Sequence, residues 1–192
     1  MSGTTPRRLV VGISGASGII YGIRMLEVLR KLDVETHLVM SKAAEMTLAY
    51  ETEYKAKDIR DLATHSHPVG DIGASISSGS FHTLGMVIAP CSIRTMSEIA
   101  TGITGSLLSR AADVVLKERR RLVLGIRETP LHTGHLRTLT QLSEMGAVIC
   151  PVVPAFYNRP KTLDDIVNHS VGRMLDLFDI DIGSLKRWKA DE

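Results

Sequence analysis

Two cysteines, one tryptophan and seven prolines among 192 residues exclude several kinds of protein at once. Cys91 and Cys150 stand at the ends of apolar runs, a setting for reduced, buried thiols rather than a disulfide framework. Charge of one sign is equally scarce: 23 Lys and Arg against 21 Asp and Glu give a formal net charge of +2. The basic residues are scattered apart from Arg119, Arg120 and Arg121, so nothing implies a nucleic acid or other polyanion as partner. No apolar run has the length of a secretory h-region or a bilayer span, so no membrane association and a soluble, cytoplasmic protein are expected. Asp-rich motifs, internal repeats and low-complexity linkers are also missing. With 44% hydrophobic and 23% charged residues, the composition is globular and sufficient for one sizeable core. A single domain over residues 1–192 is expected, with its core over about 8–178 and a C-terminal tail over 179–192 packing near the active site.

What is present is organised around LVVGISGASGIIYG, residues 9–22. An apolar run leads through Gly12, Gly15 and Gly18 into Ile19, Ile20, Ile23, Leu26 and Leu29 at helical spacing, which predicts strand, glycine turn and helix, the helix over about 18–32. Such a turn brings backbone N–H groups and a helix dipole toward an anion, with Ser14 and Ser17 adding hydroxyls, although a tight connection needs the same glycines. Glu35 to Met40 alternates as a second strand. It ends in Ser41-Lys42 rather than in the acid that takes a dinucleotide ribose, which argues against NAD. Ser41 suits a phosphate contact or plain capping of a helix over 42–51. Residues 53–64 read as a short polar helix, and HSHPVGDIGASISSGSF (65–81) as a long loop serving a lid or a subunit contact. The pairs His65/His67 and His132/His135 lack a convincing third ligand, so no metal site is expected.

The run GMVIA (85–89) has the continuous apolarity of a strand buried on both faces, and Ser92 follows where a helix N-cap belongs. Ser92, Arg94, Thr95 and the amides there suit an anion or the polar edge of a ring. A helix over 106–118 carries Leu107, Leu108, Ala111, Val114 and Val115 on one face, with Arg110 and Lys117 two turns apart beside that stripe. Both could lean over one anionic ligand, while Arg119, Arg120 and Arg121 equally suit the helix C-terminal dipole. LVLGI (122–126) is another buried strand, ending in Arg127-Glu128: a surface pair, or groups facing the crevice with Glu128 partly desolvated and able to carry protons. A helix over 133–145, a strand over 147–152, a stiff aromatic loop through Tyr157 and an amphipathic helix over 164–178 complete the pattern. Strand ends carrying Ser, Gly, Lys and Arg place a ligand at the carboxyl edge of an open parallel sheet.

Taken together, GISGASG (12–18), SKAA (41–44), PCSIRT (90–95), RAADVVLKERR (110–120), RETPL (127–131) and FYNRP (156–160) closely resemble the flavin prenyltransferases of the UbiX type. These relatives were formerly described as phenylacrylic acid or hydroxybenzoate decarboxylase subunits. The resemblance spans Leu9 to Trp188. It implies an α/β, Rossmann-like three-layer αβα fold of the homo-oligomeric flavin-containing cysteine decarboxylase class, usually a dodecamer with sites where subunits meet. The implied reaction is metal-independent and joins a dimethylallyl group from dimethylallyl phosphate to N5 and C6 of reduced FMN. Prenylated FMN then passes to a UbiD-type decarboxylase. By that resemblance Gly15, Ala16, Ser17, Ser41, Ser92, Ile93, Arg94, Thr95 and Arg127 hold FMN. Tyr157 and Arg173 hold the prenyl phosphate, with Arg110 and Lys117 on its phosphate side. Glu51 and Glu128 manage protons, and Trp188 closes over the allyl group. At Arg94 the chain departs from a fixed pattern, since chemistry varies there within the family.

The residue types suit that chemistry. Loss of phosphate from an allylic carbon develops charge of both signs, which the site must stabilise while excluding water. Arg110, Lys117 and Arg173 serve the phosphate, and Tyr157 and Trp188 the cationic fragment, at about 0.5–2 kcal/mol per aromatic face. The same cations replace the Mg²⁺ recruited by Asp-rich diphosphate enzymes, which makes the monophosphate the coherent donor. Glu128 with Ser17 forms a relay for the N5 proton, and Lys117 joins Ser17, Glu51 and Glu128 in the expected catalytic set. Two other readings remain: a cysteine decarboxylase on the same fold, lacking the His base and substrate clamp it would need, and an FMN-binding accessory or carrier subunit.

Overall fold

Alternation of apolar side chains along the strands divides the core into two halves, one on each side of a single sheet. In the computed structural model, which describes residues 7–183, the strands are β1 (Arg8–Ile13), β2 (Glu35–Met40), β3 (His65–His67), β4 (Gly85–Cys91), β5 (Arg121–Ile126) and β6 (Ala147–Ile149). All pair in parallel, in the order β3-β2-β1-β4-β5-β6. The helices are α1 (Ile20–Lys31), α2 (Lys42–Glu51), α3 (Ala56–Arg60), α4 (Ile93–Ala100), α5 (Leu107–Lys117), α6 (Thr133–Glu144) and α7 (Leu163–Asp176).

Leu9, Val11 and Ile13 of β1 pack with Ile23, Leu26 and Leu29 of α1 and with Val171, Met174 and Leu175 of α7. Val10, Met86, Ile88, Leu122 and Leu124 pack on the opposite face with Met96 and Ile99 of α4 and with Leu107, Leu108, Ala111 and Val115 of α5. The result is the expected three-layer αβα arrangement, its parallel strands covered on both faces. Among the described residues no helix is long and apolar enough to cross a membrane.

Several boundaries move. The predicted polar helix over 53–64 is helical only through Ala56–Arg60, and the last strand ends at Ile149. The predicted loop over 65–81 begins as edge strand β3, paired with His37, Leu38 and Val39. Three polar-flanked residues, His65-Ser66-His67, carry too little alternation to announce a strand; reciprocal bonds between Thr36 and Thr64 help dock it, with backbone N to hydroxyl distances of 3.1 and 2.9 Å. Strand order reverses between β1 and β4, and the crevice at that reversal is where an open α/β sheet receives a ligand.

Candidate active site

The crevice wall begins at Ser14, and its hydroxyl is already committed. Ser14 Oγ donates to the Pro90 carbonyl at 2.9 Å and accepts from the Ser92 amide at 2.7 Å, with the residue fully buried. The expectation that Ser14 offers a hydroxyl to ligand is therefore corrected: it ties the β1 and β4 ends together and fixes the crevice width. Gly15 is required by close approach, since a Cβ there would lie 2.3 Å from that of Ala43. Gly18 has φ +95°, a conformation that glycine adopts without strain. Ser17 between them is exposed at the rim.

The start of α1 differs from its expected state. Glu51, the last residue of α2, accepts from the Gly18 amide at 2.9 Å and from the Ile19 amide at 2.9 Å. A carboxylate from within the chain thus satisfies the helix terminus that was expected to face a ligand anion. Ser41 accepts from the Ala44 amide at 3.0 Å and caps α2, and Ser92 accepts from the Thr95 amide at 3.3 Å and caps α4. Each cap satisfies one amide, so the first-turn N–H groups of Lys42 and Ala43, and of Ile93 and Arg94, have no intramolecular acceptor among the described residues. With the exposed Ser17, these two helix starts form the anion-facing and polar-edge-facing part of the crevice. The Arg94 side chain points elsewhere: it is 88% exposed and paired with Glu98 at 2.9 Å.

At the end of β5, the Arg127 amide donates to Cys91 O at 3.2 Å, which holds the Arg127-Glu128 turn against β4. Glu128 is exposed in the single chain, its Oε1 accepting from the Thr129 amide at 2.9 Å. This corrects the expected partial desolvation, which one chain does not provide. Tyr21, which no motif singled out, touches Ser170 of α7; burial pushes its hydroxyl pKa up, against the pull of the Ser170 hydrogen bond and the Arg127 cation. Tyr21 therefore connects the crevice with a second recess.

That recess is an open cleft of about 150 Å³ beyond β6, lined by Cys150, Val152, His169, Ser170, Arg173 and Met174 among others. Tyr157 reaches it through a 3.0 Å hydrogen bond from its hydroxyl to His169 Nε2. Burial first, and Arg173 second, hold the His169 pKa below its ordinary value, favouring the neutral ring that accepts this bond. Arg173 lies one turn further along α7 and pairs with Asp176 at 2.7 Å. Arg173 and His169 thus line the cleft, and Tyr157 is joined to it through His169. Nothing marked His169 in the sequence beyond a place beside the apolar stripe of α7. Neither cysteine is a ready nucleophile here: burial pushes the Cys91 thiol up to about 12 and raises that of Cys150 as well.

Lys117 and Arg110 do not join this rim in the same way. Lys117 ends α5 four residues before Arg121 opens β5, and Arg121 pairs with Gly85 at the start of β4. Lys117 therefore lies at the amino edge of the sheet, a strand length of roughly 17–20 Å from the carboxyl rim. It pairs with Glu118, and Arg110, about 10 Å away along the helix axis, pairs with Asp113 at 2.8 Å. Within a single chain each of the two cations is paired with an acidic neighbour. Trp188 lies outside the described residues.

A family model described as Flavoprotein matches residues 2–175. The flavin prenyltransferase UbiX of Thauera aromatica is 60% identical over 185 residues, covering 96% of this chain and 95% of its own. Among solved structures, AnUbiX in complex with FMN and dimethylallyl pyrophosphate matches with TM-score 0.95 and 52% identity, over 98% of this chain and all of that one. A dodecameric FMN-dependent UbiX-like decarboxylase from Escherichia coli O157:H7 matches with TM-score 0.93 and 50% identity, over 95% of this chain and all of that one. Agreement along nearly the whole length and this level of identity place the chain in the UbiX family of flavin prenyltransferases.

Proposed function

We propose that this chain joins a dimethylallyl group from dimethylallyl phosphate to N5 and C6 of reduced FMN. The observation that carries the reading is its likeness to AnUbiX, whose structure holds FMN and dimethylallyl pyrophosphate, combined with a crevice edged by two open helix starts. Reduced FMN supplies the nucleophilic N5 and C6. Gly15, Ala16, Ser17, Ser41, Arg127 and the segment Ser92, Ile93, Arg94 and Thr95 hold it, with the backbone of Ile93 and Arg94 taking precedence over the outward Arg94 side chain. This crevice suits a flavin physically: Gly15 leaves no room for a side chain, and the free amides suit phosphate and ring-edge acceptors.

Tyr157 and Arg173 position the prenyl phosphate in the cleft beyond β6, with Arg173 exchanging Asp176 for the ligand. Lys117 and Arg110 come from a second copy of the chain in a dodecamer, each leaving its acidic neighbour to meet the charge developing on phosphate. The same contact encloses Glu128 beside the flavin. Glu128 and Ser17 then move the proton from N5, while Glu51 holds the Ser17 loop through Gly18 and Ile19. Trp188 closes over the allyl fragment. The product passes to a UbiD-type decarboxylase, and the protein works in the cytoplasm.

Incubation with FMN, reductant and dimethylallyl phosphate is expected to give a flavin heavier by about 68 Da, one C5H8 unit added within an oriented pair. Ser17→Ala should slow its formation without abolishing FMN binding. Unmodified flavin throughout would refute the transferase reading and leave that of a flavin carrier. Running the assay with the diphosphate in parallel decides the donor; faster turnover with the diphosphate would refute the monophosphate preference.

A further inference from the structure

The sequence offered His65 and His67 without a further ligand, and the fold brings two, Glu35 and His37, beside His65. At the amino half of β2 and β3, the carboxylate of Glu35 lies 3.0 Å from His37 Nε2 and 3.6 Å from His65 Nε2. The ligating atoms of these three residues all lie within 4.8 Å of one another. Tetrahedral zinc, with bonds of about 2.1 Å, places its ligand atoms about 3.4 Å apart, between the two shorter separations. The remaining gap closes by rotation of His65, whose side chain is 52% exposed, whereas His37 is fixed at 4%.

Surrounding groups fit a metal ligand set. His37 Nδ1 lies 3.0 Å from His67 Nε2, with ring planes within 9° of parallel. With Nδ1–H donating to His67, Nε2 of His37 is left as a lone-pair donor, the outer-sphere arrangement that orients metal-bound imidazoles. Phe81 closes one side, its ring edge-on to His37 at 5.0 Å. Arg8 Nε donates at 3.0 Å to the same Glu35 Oε1 that faces both imidazoles and so orients the carboxylate toward them.

We propose that Glu35, His37 and His65 bind a divalent cation of the zinc class, with water as fourth ligand and His67 as outer-sphere support. Two imidazoles and one carboxylate select such a borderline cation over magnesium or calcium, which prefer all-oxygen sets. The site is separate from the crevice: His37 precedes the end of β2 by three residues, about 10 Å, and no proposed prenyl-transfer residue belongs to it. A bound ion would clamp the three-residue edge strand β3 to β2. The proposal therefore stands apart from the metal-independent transferase reading.

Calorimetric titration of chelator-treated, full-length protein is expected to show one zinc ion bound per chain and none with magnesium. Cobalt should give the visible absorption of a four-coordinate ion. His65→Ala, a change at an exposed side chain, should abolish both signals while FMN binding persists, and Glu35→Gln should do the same with nearly unchanged shape. His67→Ala should weaken zinc by roughly 10- to 100-fold; His132→Ala should leave binding intact. Absence of zinc binding, equal binding of magnesium, or zinc affinity unaltered in His65→Ala would each overturn the site.

Discussion

At the carboxyl rim most polar groups are already committed, whereas at the amino edge Lys117 pairs with its sequence neighbour Glu118 beside Gly79. Ser14 bridges two strand ends, Ser41 and Ser92 cap their helices, and Glu51 closes α1, leaving a small set of amides open. Lys117 lies 47% exposed, paired with Glu118 and close against Gly79. The rim is held in one arrangement by its own chain; the cation is left half-exposed at the surface. The contrast is what the proposed division of labour between two copies of the chain rests on.

The largest effect expected to sharpen this contrast comes from Lys117→Ala. Turnover to prenylated flavin should fall by about 10²–10³-fold, the scale for removing one preorganised electrostatic group. FMN affinity and melting temperature should hold, as checked by flavin fluorescence and calorimetry; loss of FMN binding would place Lys117 with the rim after all.

Ser14→Ala attacks the other side of the contrast. It removes a buried hydroxyl from two bonds and strands the Ser92 amide, so a loss of about 1–3 kcal/mol is expected in urea unfolding, together with weaker FMN binding. A variant with parental stability would mean that the rim is not held by this bridge.

A smaller effect concerns pH. The His169 pKa lies below its ordinary 6.5, so the unfolded chain takes up the proton first. The contribution of His169 to stability is thus present above that value and lost as pH falls from 6.5 toward the folded value. Protonation also removes the acceptor for Tyr157. Activity of the parent should therefore decline at a pH below 6.5, where folded His169 takes up its proton, through a rising KM for the prenyl phosphate, and His169→Gln should flatten that decline; an unchanged profile would remove His169 from the cleft's function.

The smallest effect is expected from Arg94→Ala. An exposed pair with Glu98 contributes about 0–1 kcal/mol, and FMN affinity should change little because the proposed contact is through backbone. A large loss of FMN would show that the side chain swings back to the flavin.

Much of the architecture was legible because buried parallel strands and amphipathic helices write strong periods: LVLGI and GMVIA could hardly be anything but core strands. β3 was not legible, because His65-Ser66-His67 has no period and owes its conformation to β2. The rim residues could be located from strand ends, but their occupancy could not. That Glu51 turns back 33 residues to close α1 is a tertiary fact, as is the commitment of Ser14. Likewise, Glu35 and His37 read only as positions in an alternating strand until β3 came alongside. The place of Lys117 at the amino edge was not legible for a related reason: helical spacing tells which face a residue shares, not which end of the sheet that face approaches.

Subunit complementation tests the shared-site account most directly. Lys117→Ala and Arg173→Ala chains, each inactive alone, are dissociated, mixed and reassembled, with mixed oligomers verified by native mass spectrometry. Recovery of prenylated FMN in the mixture is predicted, since some sites then pair an intact rim with an intact Lys117 from a different chain. Mixed oligomers that remain as inactive as either parent would contradict it.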